Sequence, residues 1–183
     1  MNKSLFLKVI SSFILLGITL ALSGCQQLNV IQSQVSTKSR NTEQEIKPVI
    51  ENYIQSEIFL KDFFGSGSIN GKIFCSYHFL GVDQKNENKN TINTYIWLLC
   101  DEYNIKIKRG SAASIPIVVI LKNQENKYQT VNHQYPRDGA SYSEDVKKLF
   151  PTDVRRKISD LDQNKIVNYL NLENIKKAQI YFK

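Results

Sequence analysis

The chain has 183 residues, 42% of them hydrophobic and 22% charged, and a formal net charge of +7. That size and balance fit one globular domain with a short appendage. A mean hydropathy of −0.32 excludes a polytopic membrane protein.

The first predicted element is residues 1–24. Lys3 and Lys8 give it a basic start, residues 9–22 run for 14 residues without a charge, and small residues follow. This is the layout of a secretory signal peptide. A spanning helix needs about 20 apolar residues, more than this run offers. The segment closes on Leu22-Ser23-Gly24-Cys25, which resembles the bacterial lipoprotein lipobox at all four positions. The resemblance implies a diacylglyceryl group on the Cys25 sulfur, cleavage before Cys25, and residence outside the cytoplasm on the cell membrane or outer membrane. The lipid transfer needs a thiol, because sulfur is the nucleophile. Each buried CH₂ contributes about 0.8 kcal/mol, so two acyl chains hold where one would slip. By the same resemblance, Gln26 in place of Asp is compatible with export to the outer membrane. The plainer alternative is ordinary signal cleavage beside an incidental cysteine.

Residues 25–41 are polar and rich in Gln, Ser, Thr and Asn. They read as a flexible tether, which leaves residues 42–183 as a single domain. Ile46, Val49, Ile50, Tyr53, Ile54 and Ile58 recur at spacings of three and four and predict a helix with one apolar face. Thr42 and Glu45 have the spacing of a capping box. Pro48 belongs in a first turn, so the regular helix is expected from Lys47 or Pro48 to the flexible turn at "GSGSING".

Strands are expected next. "KIFCSYHFL" is β-branched and aromatic, "DQKNENKN" is a polar hairpin tip, and "TINTYIWLLCDEYNIKIK" is one long strand or two short ones. If residues 72–82 and 91–108 pair about that tip, Cys75 falls opposite Cys100, Tyr77 opposite Leu98 and Phe79 opposite Ile96. A cross-strand disulfide between Cys75 and Cys100 is then open, as are two buried free thiols. "ASIPIVVILK" is a further strand, in which Pro116 asks for an edge or a bulge. "NQENK" turns the chain and "YQTVNHQY" returns it.

Beyond Pro136 the pattern turns helical. "PRDGAS" is a turn, Ser143 can cap "EDVKKLF", and Thr152 or Asp153 can cap "DVRRKISDL". Asp162 and Asn171 can open two more short helices, and "KKAQIYFK" is left between helix and strand. The expected class is α+β. An N-terminal helix packs on a roughly four-stranded antiparallel curved sheet, of cystatin-like or NTF2-like shape, followed by short C-terminal helices. The stretch "HQYPRDGASYSEDVKKLFP" resembles a segment of uncharacterised bacterial envelope lipoproteins through Tyr135, Pro136, Asp138, Gly139, Tyr142, Lys147, Phe150 and Pro151. The likeness implies envelope placement and no activity.

Charge is uneven. Residues 25–146 hold 13 basic and 13 acidic side chains, whereas residues 147–183 hold 9 and 4. Arg155, Arg156 and Lys157 are the candidate basic docking surface, either for anionic lipid, where each cation contributes about 1 kcal/mol near the surface, or for an envelope protein or polymer. The bland reading is a solvated face. No nucleic-acid motif occurs. No catalytic site is assigned, because no nucleophile elbow is present and neither His78 nor His133 has an evident Ser or Cys partner. A hydrolase with dispersed residues would have to draw on His78, His133, Asp101 and Glu102. No metal ligand set is assigned, since "DLDQNK" lacks the glycine and glutamate of a calcium loop, and no cofactor is implied. The expectation is a lipid-anchored, non-catalytic binding or interaction module.

Overall fold

The computed structural model describes residues 42–64, 71–83, 90–125 and 127–183. The signal segment, Cys25, the tether, most of "GSGSING" and most of the β-hairpin tip lie outside the described residues. The first helix, α1, spans 42–54 and starts earlier than expected. Ile46, Ile50 and Ile54 lie four apart and are fully buried, so one face is held on both sides of Pro48. The proline ring sits on the exposed side. Burial of the isoleucines outweighs the one backbone bond that Pro48 cannot make.

The helix then breaks. The Ser56 N–H donates to the Tyr53 carbonyl, and the Ser56 hydroxyl accepts from the Phe59 N–H at 3.2 Å. This serine caps a second helix, α2, Glu57–Phe64. The break rotates the helical frame, so Phe59 is buried and Ile58, expected on the apolar face, is 79% exposed.

Four strands follow: β1 Lys72–Asp83, β2 Thr91–Tyr103, β3 Arg109–Gln124 and β4 Lys127–Gln134. They form one antiparallel sheet in the order β1-β2-β3-β4. Cys75 pairs with Cys100, Tyr77 with Leu98 and Phe79 with Ile96, until a bulge at Phe79/Gly81 shifts the register by one. Cys75 and Cys100 are joined by a disulfide. Closing their 25-residue separation restricts the unfolded chain by an amount equivalent to about 3.5 kcal/mol. Pro116 lies opposite Trp97, and β4 pairing begins only at Val118. At the proline β3 is therefore locally an edge strand, where a missing N–H is tolerated.

The sheet is curved and covered on both faces. Alternation along β2 sends Ile92, Ile96, Leu98 and Cys100 into a core with α1 and α2, and Tyr95, Trp97 and Leu99 into a second core with the C-terminal helices. A 3-10 turn, Gly139–Ser141, leads into α3, Tyr142–Leu149. Helix α4 is Thr152–Asp160 and α5 is Gln163–Tyr181. Asp162 caps α5 by accepting from the Lys165 N–H at 3.1 Å. The expected second cap at Asn171 is corrected: α5 is one 19-residue helix that runs through Asn171 and takes in the undecided C-terminal segment.

Candidate functional site

The four groups a dispersed hydrolase would need are not brought together. His133 pairs with Val119 and shares its face with α1 and α2. Alternation puts Glu102 on that face and Asp101 on the other. His78 lies on the face of Phe74 and Leu80, which pack with the C-terminal helices. On that second face Asp101 stands opposite Phe74, four positions from His78, about 13 Å along the strand.

His133 has a structural setting. Its Nδ1 accepts from the Tyr53 hydroxyl at 2.8 Å, and its Nε2 faces the Asp62 carboxylate at 3.2 Å. The neutral ring satisfies both contacts when Nε2 carries the hydrogen. Phe59 meets the ring edge-on at 5.0 Å and Tyr135 stacks on it at 5.8 Å. Only 7% of the His133 side chain is accessible. Burial lowers its pKa below the ordinary imidazole value, against the opposing pull of Asp62. Burial likewise raises the Tyr53 pKa, so the phenol stays protonated and is a poor nucleophile. The arrangement latches α1 and α2 to β4, and it encloses the imidazole where a substrate would have to sit.

Asp101 is fully buried at the other end of the sheet. Arg109 Nε donates to its Oδ1 at 2.7 Å, and Asn174 and Asn171 donate to its Oδ2 at 2.8 and 3.2 Å. Asn171 also donates to the Tyr103 hydroxyl at 2.7 Å, and Asn174 to the Leu99 carbonyl at 3.1 Å. This network sets α5 against β2. Glu102 lies at the β2–β3 irregularity, where its carboxylate accepts from the Ser111 N–H at 3.2 Å. A Cβ at Gly110 would come within 2.8 Å of that carboxylate, so a side chain there would have to displace the end of Glu102.

The candidate basic residues divide by role. Lys157 Nζ donates to the Leu80 carbonyl on edge strand β1. Lys177 Nζ donates to the Cys75 carbonyl and, at 2.9 Å, to the Ser76 hydroxyl, and Gln55 Nε2 donates to the same Cys75 carbonyl at 2.7 Å. Burial lowers the Lys177 pKa. These donors occupy an edge that would otherwise offer free carbonyls to another strand. Arg155 closes the α3–α4 corner: its guanidinium donates to the Phe150 carbonyl at 2.8 Å and to the Thr152 hydroxyl at 3.0 Å.

That corner opens into a cleft of about 690 Å³, within the range of small-molecule sites. Lys147, Lys148, Arg155 and Arg156 line it, with one acid, Asp153. Leu149 and Pro151, both half-buried, supply its accessible apolar surface above the buried Tyr95 and Phe150. Lys148 pairs with Glu144 at 2.7 Å. The Lys147 and Arg156 side chains are exposed and form no ion pair or hydrogen bond with a described residue. Sequence reasoning found Arg155 and Arg156 but joined them to Lys157, which does not line the cleft. The missed partners, Lys147 and Lys148, lie on the preceding helix and were legible only as part of the local charge surplus.

The distinctive stretch 133–151 is largely accounted for by the fold. Tyr135 stacks on His133, Gly139 takes a φ of +70°, and Phe150 is buried. Arg137 binds both oxygens of Asp145, at 2.7 and 2.9 Å, and these bonds hold the Asp145 carboxyl far below the usual carboxylate range. Among the described residues no group of three or more His, Cys, Asp or Glu side chains is placed to hold a metal ion, and no helix is long and apolar enough to cross a membrane. No family model, curated protein or solved structure matches the chain.

Proposed function

We propose that this chain is a lipoprotein of the bacterial cell envelope, anchored outside the cytoplasm through lipid on Cys25, whose domain is a non-catalytic binding module. The observation that carries the reading is the disulfide between Cys75 and Cys100. Such bonds persist in oxidising compartments and are rare in the cytoplasm, so the bond supports the export implied by the lipobox. The enclosure of His133 and the structural engagement of Asp101 and Glu102 support a binding role over a hydrolytic one. The domain contributes a surface, and the anchor keeps it at the membrane.

Cell fractionation of the wild type and of Cys25→Ser tests the anchor. The wild type is expected in the membrane fraction and to enter detergent, with the Cys75–Cys100 bond formed. The Cys25→Ser chain is expected to lose the lipid. Wild-type protein in the soluble cytoplasmic fraction with both thiols free would overturn the reading.

A further inference from the structure

We propose that the α3–α4 cleft binds a phosphate-bearing anion. The inference rests on the fold alone and stands whether or not Cys25 carries lipid. Four cations and one acid line the cleft. The lining therefore carries a formal excess of three positive charges, more than a single carboxylate ligand would balance. Two of the cations are arginines, whose planar fork matches phosphate oxygens.

The cations are not equivalent. Arg155 is fixed by the Phe150 carbonyl and the Thr152 hydroxyl, so its orientation is set before any ligand arrives. Lys148 has Glu144 as a partner at 2.7 Å. Lys147 on α3 and Arg156 on α4 line the cleft and keep their donors available to a ligand. Asp153 faces the same space and disfavours a loosely held anion, so the ligand is one that reaches the cations and stays clear of that carboxylate. The part-exposed Leu149 and Pro151 can pack against an organic moiety carrying the phosphate. Burial, with Asp83 and Asp153 nearby, raises the Tyr95 pKa, which leaves its phenol uncharged beside an anion. The phosphate can belong to a soluble organic phosphate or to a phospholipid headgroup.

The test is isothermal titration of the full chain in detergent with two probes, inorganic pyrophosphate and glycerophosphoglycerol, the phosphatidylglycerol headgroup freed of its tails. Pyrophosphate is expected to bind saturably at one site. Lys147→Ala with Arg156→Ala is expected to weaken it by at least about tenfold, the loss of one charge-assisted contact. Lys165→Ala with Lys176→Ala removes the same charge from α5, away from the cleft, and is expected to change affinity by less than about twofold at moderate salt. Binding of both probes assigns the site to a headgroup-like diester, and binding of pyrophosphate alone assigns it to a soluble, multiply charged phosphate. Absence of saturable binding, or equal weakening by the two double variants, would overturn the proposal. All four replaced side chains are exposed, and an unchanged melting temperature checks that each variant is folded.

Discussion

The two faces of the sheet are held by different physics. On the α1–α2 face, isoleucines, Phe59 and the disulfide form an apolar core, bordered by the Tyr53–His133–Asp62 latch and, near the end of β2, by the buried Glu102 carboxylate. On the opposite face a buried carboxylate, Asp101, gathers an arginine and two asparagines and fixes the rotation of α5 on β2. Apolar packing accepts many arrangements of similar volume. A buried charge accepts few, because every alternative leaves it unsatisfied. The first face thus supplies a broad driving force, and the second a specific register for the helix that covers it.

The comparison can be broken most sharply at Asp101. Asp101→Ala removes the acceptor from Arg109, Asn171 and Asn174, and is expected to cost about 4 kcal/mol through the loss of these hydrogen bonds to a charged group, measured by urea unfolding. A value near that of an exposed substitution would show that α5 is held by its apolar contacts alone. The disulfide comes next. Replacing Cys75 and Cys100 together by Ala is expected to cost about 3.5 kcal/mol from the restored freedom of the unfolded chain, partly offset if the alanines pack well. Asp162→Ala removes the cap of α5 and is expected to cost about 1 kcal/mol, seen as a small shift in the same urea midpoint.

The His133 latch gives a smaller effect with a distinct signature. Its folded pKa lies below the ordinary value of 6.5, so near and below that value the unfolded chain binds more protons than the folded one. Stability from this group is full above 6.5 and declines as pH falls below it, until the folded ring is also protonated. Unfolding midpoints collected from pH 7.5 to 5 should show the decline in the wild type, and His133→Gln should remove that part of the pH dependence. An unchanged slope in the variant would assign the decline to other groups.

These two faces were not equally legible in the sequence. The spacing of Ile46, Ile50 and Ile54 announces α1, a periodic and local signal. The polar tip announces the β1–β2 hairpin, and its register follows only once the two cysteines are set opposite each other. The start of α1 was hidden because Pro48 reads as a boundary, whereas buried residues on either side carry the helix through it. The break at Ser56 was hidden because Ile58 continues the apolar spacing. Helix α5 was read as shorter pieces because Asn171 looks like a cap residue. Its side chain, with that of Asn174, instead faces Asp101, a partner some seventy residues away. The cleft depends on the angle between α3 and α4, so Lys147 and Arg156 could be counted as charge but not placed together.

Residence at the membrane is the claim on which the functional account depends, and intact-mass spectrometry of the native protein tests it most directly. The account predicts a chain beginning at Cys25, heavier than its sequence by a diacylglyceryl group and lighter by the two hydrogens lost in the Cys75–Cys100 bond. A chain that retains Met1, or one that begins at Cys25 with an unmodified thiol, would contradict it.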